Sequence, residues 1–263
     1  MGANIHPTAS VERGAELADG VEIGPYCTVG PRVVLAEGVR LLSHVSVTGN
    51  THVGARTMIY PFAALGHPPQ DLKFKGEDTR LRVGADNVIR ESVSFHVGTV
   101  TGRSETIVGD KGFFMAGGHI GHDCIIGNGV VLGNNVPVGG NAVIQDFAIL
   151  GGNAAVHQFT RLGKYCFIGG CAPVVGDVIP FGMVDNNGRL HGLNLIGLKR
   201  RGFKRETIND LRAAYRELFH GEGHFWDRFA GVAEKYSGSP EVMMIVAFIN
   251  AGQKRELCLP DRG

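Results

Sequence analysis

The stretch "IGNGVVLGNNVPVGGNAVIQDFAILG", residues 126–151, places an aliphatic residue every six positions and follows most of them with glycine. A period of six matches neither the 3.6 of a helix nor the simple alternation of one strand. It fits a two-residue strand followed by a corner, repeated. The count extends far in both directions: steps of six from Ile5 land on aliphatic residues through Leu65, and steps from Val108 run through Val174 with Phe114 the one exception. Val83, Ile89 and Phe95 lie between the two runs. The fifth place of each hexad is small or β-branched, as at Ala9, Val21, Val33, Ala142 and Ala154. These residues fill a narrow interior, while Gly, Asn and Asp are expected to supply the positive φ of the corners. The pattern predicts a parallel β-solenoid of hexapeptide repeats whose stacked coils bury a continuous core. At three strands to a coil, the repeat region makes about nine or ten coils.

The rest of the composition agrees with one reduced, folded chain. With 26 basic and 25 acidic residues the net charge is +1, so no global field selects a nucleic acid or a membrane surface. No apolar run is long enough to span a bilayer and no signal-like segment opens the chain, so a cytoplasmic protein is expected. The five cysteines show no CxxC spacing. Cys27, Cys124 and Cys166 fall at the inward fifth place and read as core fillers.

Two segments break the period. "GHPPQDLKFKGEDTRLR", residues 66–82, is a long excursion after which the phase returns at Val83, and long ordered loops on rigid scaffolds tend to carry binding groups. The second, residues 98–106, shifts the phase by one and reads equally as a plain insertion or a functional loop. The repeat ends near Pro180. After Arg201 the spacing becomes helical: Ile208, Leu211, Tyr215, Leu218 and Phe219 share one face, and Phe225, Phe229, Val232 and Ala233 another. Ser239 and Pro240 read as the N-cap and first position of a helix from Glu241 to about Gln253. The chain therefore divides into a repeat domain, residues 1–190, and a helical domain, residues 191–263, which would cover the end of the solenoid or dock a partner.

In "FMAGGHIGHDCI", residues 114–125, His119 and His122 take the sixth and third places of their hexads, outside the core. Flanking glycines leave backbone and ring accessible. Asp123 can orient the His122 imidazole, and a neutral histidine suits general-base work near neutral pH. The spacing equally allows a zinc site built with His96, as in a hexapeptide zinc hydratase, or a binding surface without catalysis. His44, His52 and His220 read as structural or merely exposed.

"HIGHDC", "QDLKF", "IRESVSFH", "AVHQF" and "GLKRRGF", in their order along the chain, resemble the UDP-N-acetylglucosamine acyltransferases that begin lipid A synthesis. The resemblance covers nearly the whole chain. It implies a mainly β fold, a left-handed parallel β-helix with a small C-terminal α-helical domain, assembled as a homotrimer with active sites in clefts between subunits. It implies transfer of a 3-hydroxyacyl group from acyl carrier protein to the sugar 3-hydroxyl, with no cofactor beyond the phosphopantetheine that the carrier brings. On the matching positions, His122 is the general base with Asp123 beside it, and the Gly140 N–H stabilises the oxyanion. His119, His96, Asp71 and Lys73 meet sugar and nucleotide, and Gln158 holds the acyl donor. Asn194, Arg200 and Arg201 face the diphosphate and acyl portions, and the phosphates make recognition by "KRRGFKR" more than a solvated basic surface. Gly170 marks the far end of the acyl groove, or else is a corner residue needing positive φ. Asn141 stands where such relatives commonly have histidine, and "DNNGRLHGLN", residues 185–194, departs from their usual pattern. These departures leave a 3-amino acceptor as the alternative to the 3-hydroxyl.

Overall fold

The structure, a computed structural model, describes residues 2–252 and 255–260. From Asn4 to Val184 the chain winds through three parallel sheets in rotation, one short strand to each. Successive coils are 18 residues apart where nothing is inserted, as in the pairings Glu22↔Arg40, Thr28↔Ser46 and Glu16↔Val34. The sheets hold 11, 9 and 8 strands, the last strand of the first being antiparallel, which bears out the expected number of coils.

First- and fifth-place side chains fill the interior: Val21, Ile23, Cys27, Val29, Val33 and Leu35 are all buried, and the pattern continues to Ala172 and Val174. Burial pushes the Cys124 and Cys166 thiols up to about 12, which leaves them unreactive and bears out their reading as core. The five cysteines are unpaired.

The glycines correct one expectation. Positive φ falls on the fourth place of the hexad, where Asp86 and Asn135 are of the expected kinds but Tyr26, Phe147 and Phe159 are not, all with φ between 55° and 64°. Second-place glycines other than Gly66 have ordinary φ; they are required because the next coil lies against them. A Cβ on Gly24 would sit 1.5 Å from the Leu42 carbonyl oxygen, and one on Gly151 would sit 2.6 Å from the Gly170 nitrogen. Left-handed corners cost roughly 1–2 kcal/mol apiece for residues with a Cβ, and stacking offsets part of this. Tyr26, His44 and Phe62 stack along one corner, and Phe147, Tyr165 and Phe181 along another.

Parallel pairing runs slightly past Pro180, to Gly182–Val184 on Phe167–Ile168. Strand Leu190–Leu193 then turns back antiparallel and leads into four helices: α1 (Leu195–Arg200), α2 (Arg205–His220), α3 (Phe225–Lys235) and α4 (Pro240–Asn250). Their apolar faces join the solenoid core, with Leu211, Leu218, Phe229, Val232, Ile245 and Val246 buried as part of it. This covers the C-terminal end. At the other end Ile5 remains 42% exposed. Ser239 does occupy the N-cap of α4, but its side chain makes no capping bond. The expected end of that helix, Gln253, lies outside the described residues.

Candidate active site

The corner between the second and third sheets carries the histidine chemistry. His122, Gly140 and Gln158 stand on three successive coils, each immediately before a residue of positive φ: Asp123, Asn141 and Phe159. Both insertions are enlargements of this same corner on the two preceding coils. One, residues 68–79, joins strands Ala64–His67 and Arg80–Val83; the other, residues 97–104, joins Ser94–His96 and Glu105–Val108.

Asp123 is fully buried, and its carboxylate accepts from His122 Nδ1 at 2.8 Å. It also accepts from Thr99 Oγ1 at 2.6 Å, from Thr99 N–H at 3.1 Å and from Arg103 N–H at 2.6 Å. Burial is the largest influence and would raise its pKa, yet the bonds from His122, Thr99 and Arg103 outweigh it and hold the carboxyl below its ordinary value. An ionised carboxylate only accepts, so His122 Nδ1 carries a proton, and in the neutral ring the lone pair is on Nε2. A Cβ on Gly140 would lie 2.5 Å from Nε2. Glycine there leaves the basic nitrogen open.

Beside the dyad, His119 bonds through Nδ1 with Ser94 Oγ at 2.8 Å, and its ring meets that of His96 edge-on at 4.7 Å. Stacking of coils explains the pairing, since Ser94 and His119 are register partners. His67 pairs in register with His96 and bonds through Nε2 with Ser46 Oγ at 3.0 Å. Burial first, then the neighbouring charges of His119, His67 and His122, pushes His96 down to about 4. Burial likewise lowers His67, and burial together with His122 lowers His119. The cluster is therefore held neutral at physiological pH. Among the described residues of one chain, no three His, Cys, Asp or Glu side chains are grouped to hold a metal ion.

Of the remaining expected residues, Asp71, Lys73 and Gln158 share this corner, and the others do not. Asp71 and Lys73 lie in the exposed long loop, where the Asp71 carboxylate accepts from the Lys73 N–H at 2.9 Å. Gln158 is exposed, and its carbonyl accepts from Arg255 Nε at 3.2 Å. Asn194 caps α1, accepting from Gly197 N–H at 3.0 Å and donating to the Tyr165 carbonyl at 3.1 Å. Arg201 lies over Phe147 and Tyr165 at 4.7 and 5.3 Å from their ring centroids, and Arg200 is exposed nearby in sequence. Asn194 and Arg201 belong to the corner between the third and first sheets. Gly170 lies at the corner between the first and second sheets, on the edge of the second sheet opposite His122. Its φ is ordinary and the positive φ belongs to Cys171, so the reading of Gly170 as a left-handed corner residue is corrected. The sequence reading missed Thr99, Arg103, Ser94 and His67. Counting by coil rather than by hexad would have placed Ser94 beside His119, but no such count assigns the loop donors.

A family model described as UDP-N-acetylglucosamine O-acyltransferase, domain 2, matches residues 177–258. The acyl-[acyl-carrier-protein]–UDP-N-acetylglucosamine O-acyltransferase of Caulobacter vibrioides is 53% identical over 98% of this chain and 99% of its own. The protein of the same name from Azorhizobium caulinodans is 51% identical over 99% and 97%. The solved UDP-N-acetylglucosamine acyltransferase of Francisella novicida superimposes with a TM-score of 0.94 at 35% identity, covering 98% of this chain and 95% of that one. The likeness carries the handedness that the period alone left open, and the solenoid is a left-handed parallel β-helix with helices at its C-terminal end. The ordered motifs, the histidine corner and relatives matched end to end converge, and the chain belongs to the UDP-N-acetylglucosamine O-acyltransferase family.

Proposed function

We propose that the protein transfers a 3-hydroxyacyl group from acyl carrier protein to the 3-hydroxyl of UDP-N-acetylglucosamine, the first step of lipid A biosynthesis. The observation that carries this reading is the His122–Asp123 pair, fixed in one tautomer with Nε2 open beside Gly140. Nε2 takes the proton of the sugar 3-hydroxyl as its oxygen attacks the thioester carbonyl. The Gly140 N–H meets the oxyanion of the tetrahedral intermediate. Collapse breaks the C–S bond, and the proton on His122 passes to the departing phosphopantetheine thiolate, which leaves as the carrier thiol. Neutral His119 and His96 line the sugar side, and neutrality suits hydrogen bonding to hydroxyls without a competing charge.

The donor-side groups Asn194 and Arg201, with Arg200 next to the latter in sequence, lie on a different corner of the same chain from His122, which supports a homotrimer in which one subunit's solenoid edge meets a neighbour's. In this reading residues 1–190 form the acyltransferase solenoid and residues 191–263 the helical domain. The reaction runs in the cytoplasm; among the described residues no helix is long and apolar enough to cross a membrane. Incubating the pure protein with UDP-N-acetylglucosamine and 3-hydroxyacyl carrier proteins of several chain lengths tests it. Acylated nucleotide sugar and free carrier thiol should appear in equal amounts. Absence of product at every chain length, and also with the 3-amino sugar, would refute the assignment.

A further inference from the structure

Four donors of the loop of residues 97–104 converge on one residue. The Thr99 N–H, the Thr99 hydroxyl and the Arg103 N–H all end on the Asp123 carboxylate, and the Arg103 guanidinium donates to the Asp123 backbone carbonyl. Thr106, where the strand resumes, accepts from the Asp123 N–H through Oγ1 at 2.8 Å. Thr99 itself is 3% exposed. Gly102 completes the closure: its φ is ordinary, but a Cβ there would lie 2.2 Å from the Asp123 carboxylate. Nothing larger than glycine fits while the carboxylate stays where it is. Such convergence on one buried anion is more than ordering an insertion requires, because the loop also closes on itself through Gly102 N–H and Ser104 N–H to the Thr99 carbonyl.

We infer that this loop is a carboxylate cradle in which Thr99 is a positioning residue: it keeps Asp123 ionised and aimed at His122 Nδ1, and thereby keeps Nε2 the basic nitrogen. The inference rests on the proposed role of His122. The titratable and charged groups facing Asp123 are His122 and Arg103, with His119 and His96 beyond His122 and the Cys124 thiol on the inner side. The hydroxyl donor has no counterpart among them. Without it the carboxylate is less stabilised, so its proton affinity and that of the paired imidazole rise. Protonated dyad then persists to higher pH, and the acid limb of the kcat profile moves upward.

Three variants and one spectroscopic readout test the cradle. Thr99→Val, which removes the hydroxyl at similar volume, should lower kcat about ten- to hundredfold with the KM for nucleotide sugar little changed, since hydrogen bonds to charged groups are among the stronger ones. Its acid limb should move to higher pH. Thr99→Ser should restore both. Gly102→Ala, whose Cβ would displace the carboxylate itself, should also lower kcat but move the acid limb to lower pH, because the imidazole loses its charged partner, and serves where Thr99→Val fails to fold. Imidazole ¹⁵N shifts of His122, assigned by difference from His122→Ala, should report the Nδ1–H tautomer in the parent protein and a mixed population in Thr99→Val and Gly102→Ala. That spectrum needs no turnover, so it decides the cradle even if the transferase assay itself fails. Equal loss in Thr99→Val and Thr99→Ser would overturn the inference, as would folded variants with unmoved pH limb and unchanged His122 tautomer.

Discussion

Two loops enlarge the same corner on consecutive coils, and they are built in opposite ways. The 68–79 loop is long, rich in charge and outward: Leu72 is 97% exposed, and the Arg32–Asp78 ion pair at 2.6 Å ties down its far end at the surface. The 97–104 loop is shorter and inward, with its donors converging on Asp123. Length and charge drew attention to the first; the second holds the dyad. A loop's service to a site is read from where its backbone N–H groups end, because a buried anion needs donors at fixed positions and a solvated loop supplies none.

That contrast can be broken by substitution. Replacing His122 with alanine removes the base that the short loop serves, and kcat should fall by at least ~10² with the fold retained, since general-base groups typically contribute 10² to 10⁴; steady-state rates together with a circular dichroism melt check this. A stability titration follows the same loop. His96 ends the strand that opens it, and its folded pKa of about 4 lies below the ordinary 6.5. Stability is then full above about 6.5 and is lost as pH falls toward 4, by up to about 3 kcal/mol from this group. Urea midpoints across that range should show the loss, and His96→Gln should flatten it.

The long loop should answer differently. Asp71→Ala and Lys73→Ala are expected to raise the KM for the nucleotide sugar about tenfold while leaving the acid limb of kcat in place. A displaced limb would mean that this loop also reaches the dyad. Gly76 has φ +93° and open space around its Cβ position, so Gly76→Ala should cost only about 1 kcal/mol by thermal melt and leave kcat alone, unlike Gly102→Ala. The smallest effect is expected on the opposite edge of the second sheet. A Cβ at Gly170 meets only the Gly152 carbonyl, at 3.3 Å, so for Gly170→Met stability should hardly change, while preference moves toward shorter acyl donors at roughly 0.8 kcal/mol per CH₂ no longer buried. An unchanged ratio of kcat/KM between long and short donors would remove Gly170 from the groove.

The solenoid was legible because each hexad repeats one physical demand, an inward aliphatic at the first place and a small residue at the fifth. Corner chemistry was less so. Left-handed corners were expected of Gly, Asn and Asp, which hold them at Gly38, Asp86 and Asn135, but Tyr26, Phe147 and Phe159 occupy others, because neighbouring coils fix those residues regardless of intrinsic preference. Gly140 and Gln158 were named from the family's motifs, and their spacing of one coil from His122 puts them on the same corner. Thr99 and Arg103 were not legible, since an insertion has no register and its donors gain meaning only when the chain closes around Asp123. Asn194 and Arg201 were named from the family's motifs, and within one chain they lie on another corner.

The central claim is that Asp123 acts through His122. A double-mutant cycle on kcat tests it most directly, using His122→Ala, Asp123→Asn and the pair. Asparagine can keep the Arg103 and Thr99 N–H bonds through its oxygen while its amide donates to His122 Nδ1, which moves the ring proton to Nε2 and removes the base. The account predicts that Asp123→Asn costs much on its own and almost nothing further in the His122→Ala background. Losses that multiply would show that Asp123 contributes independently of His122, and would contradict the account.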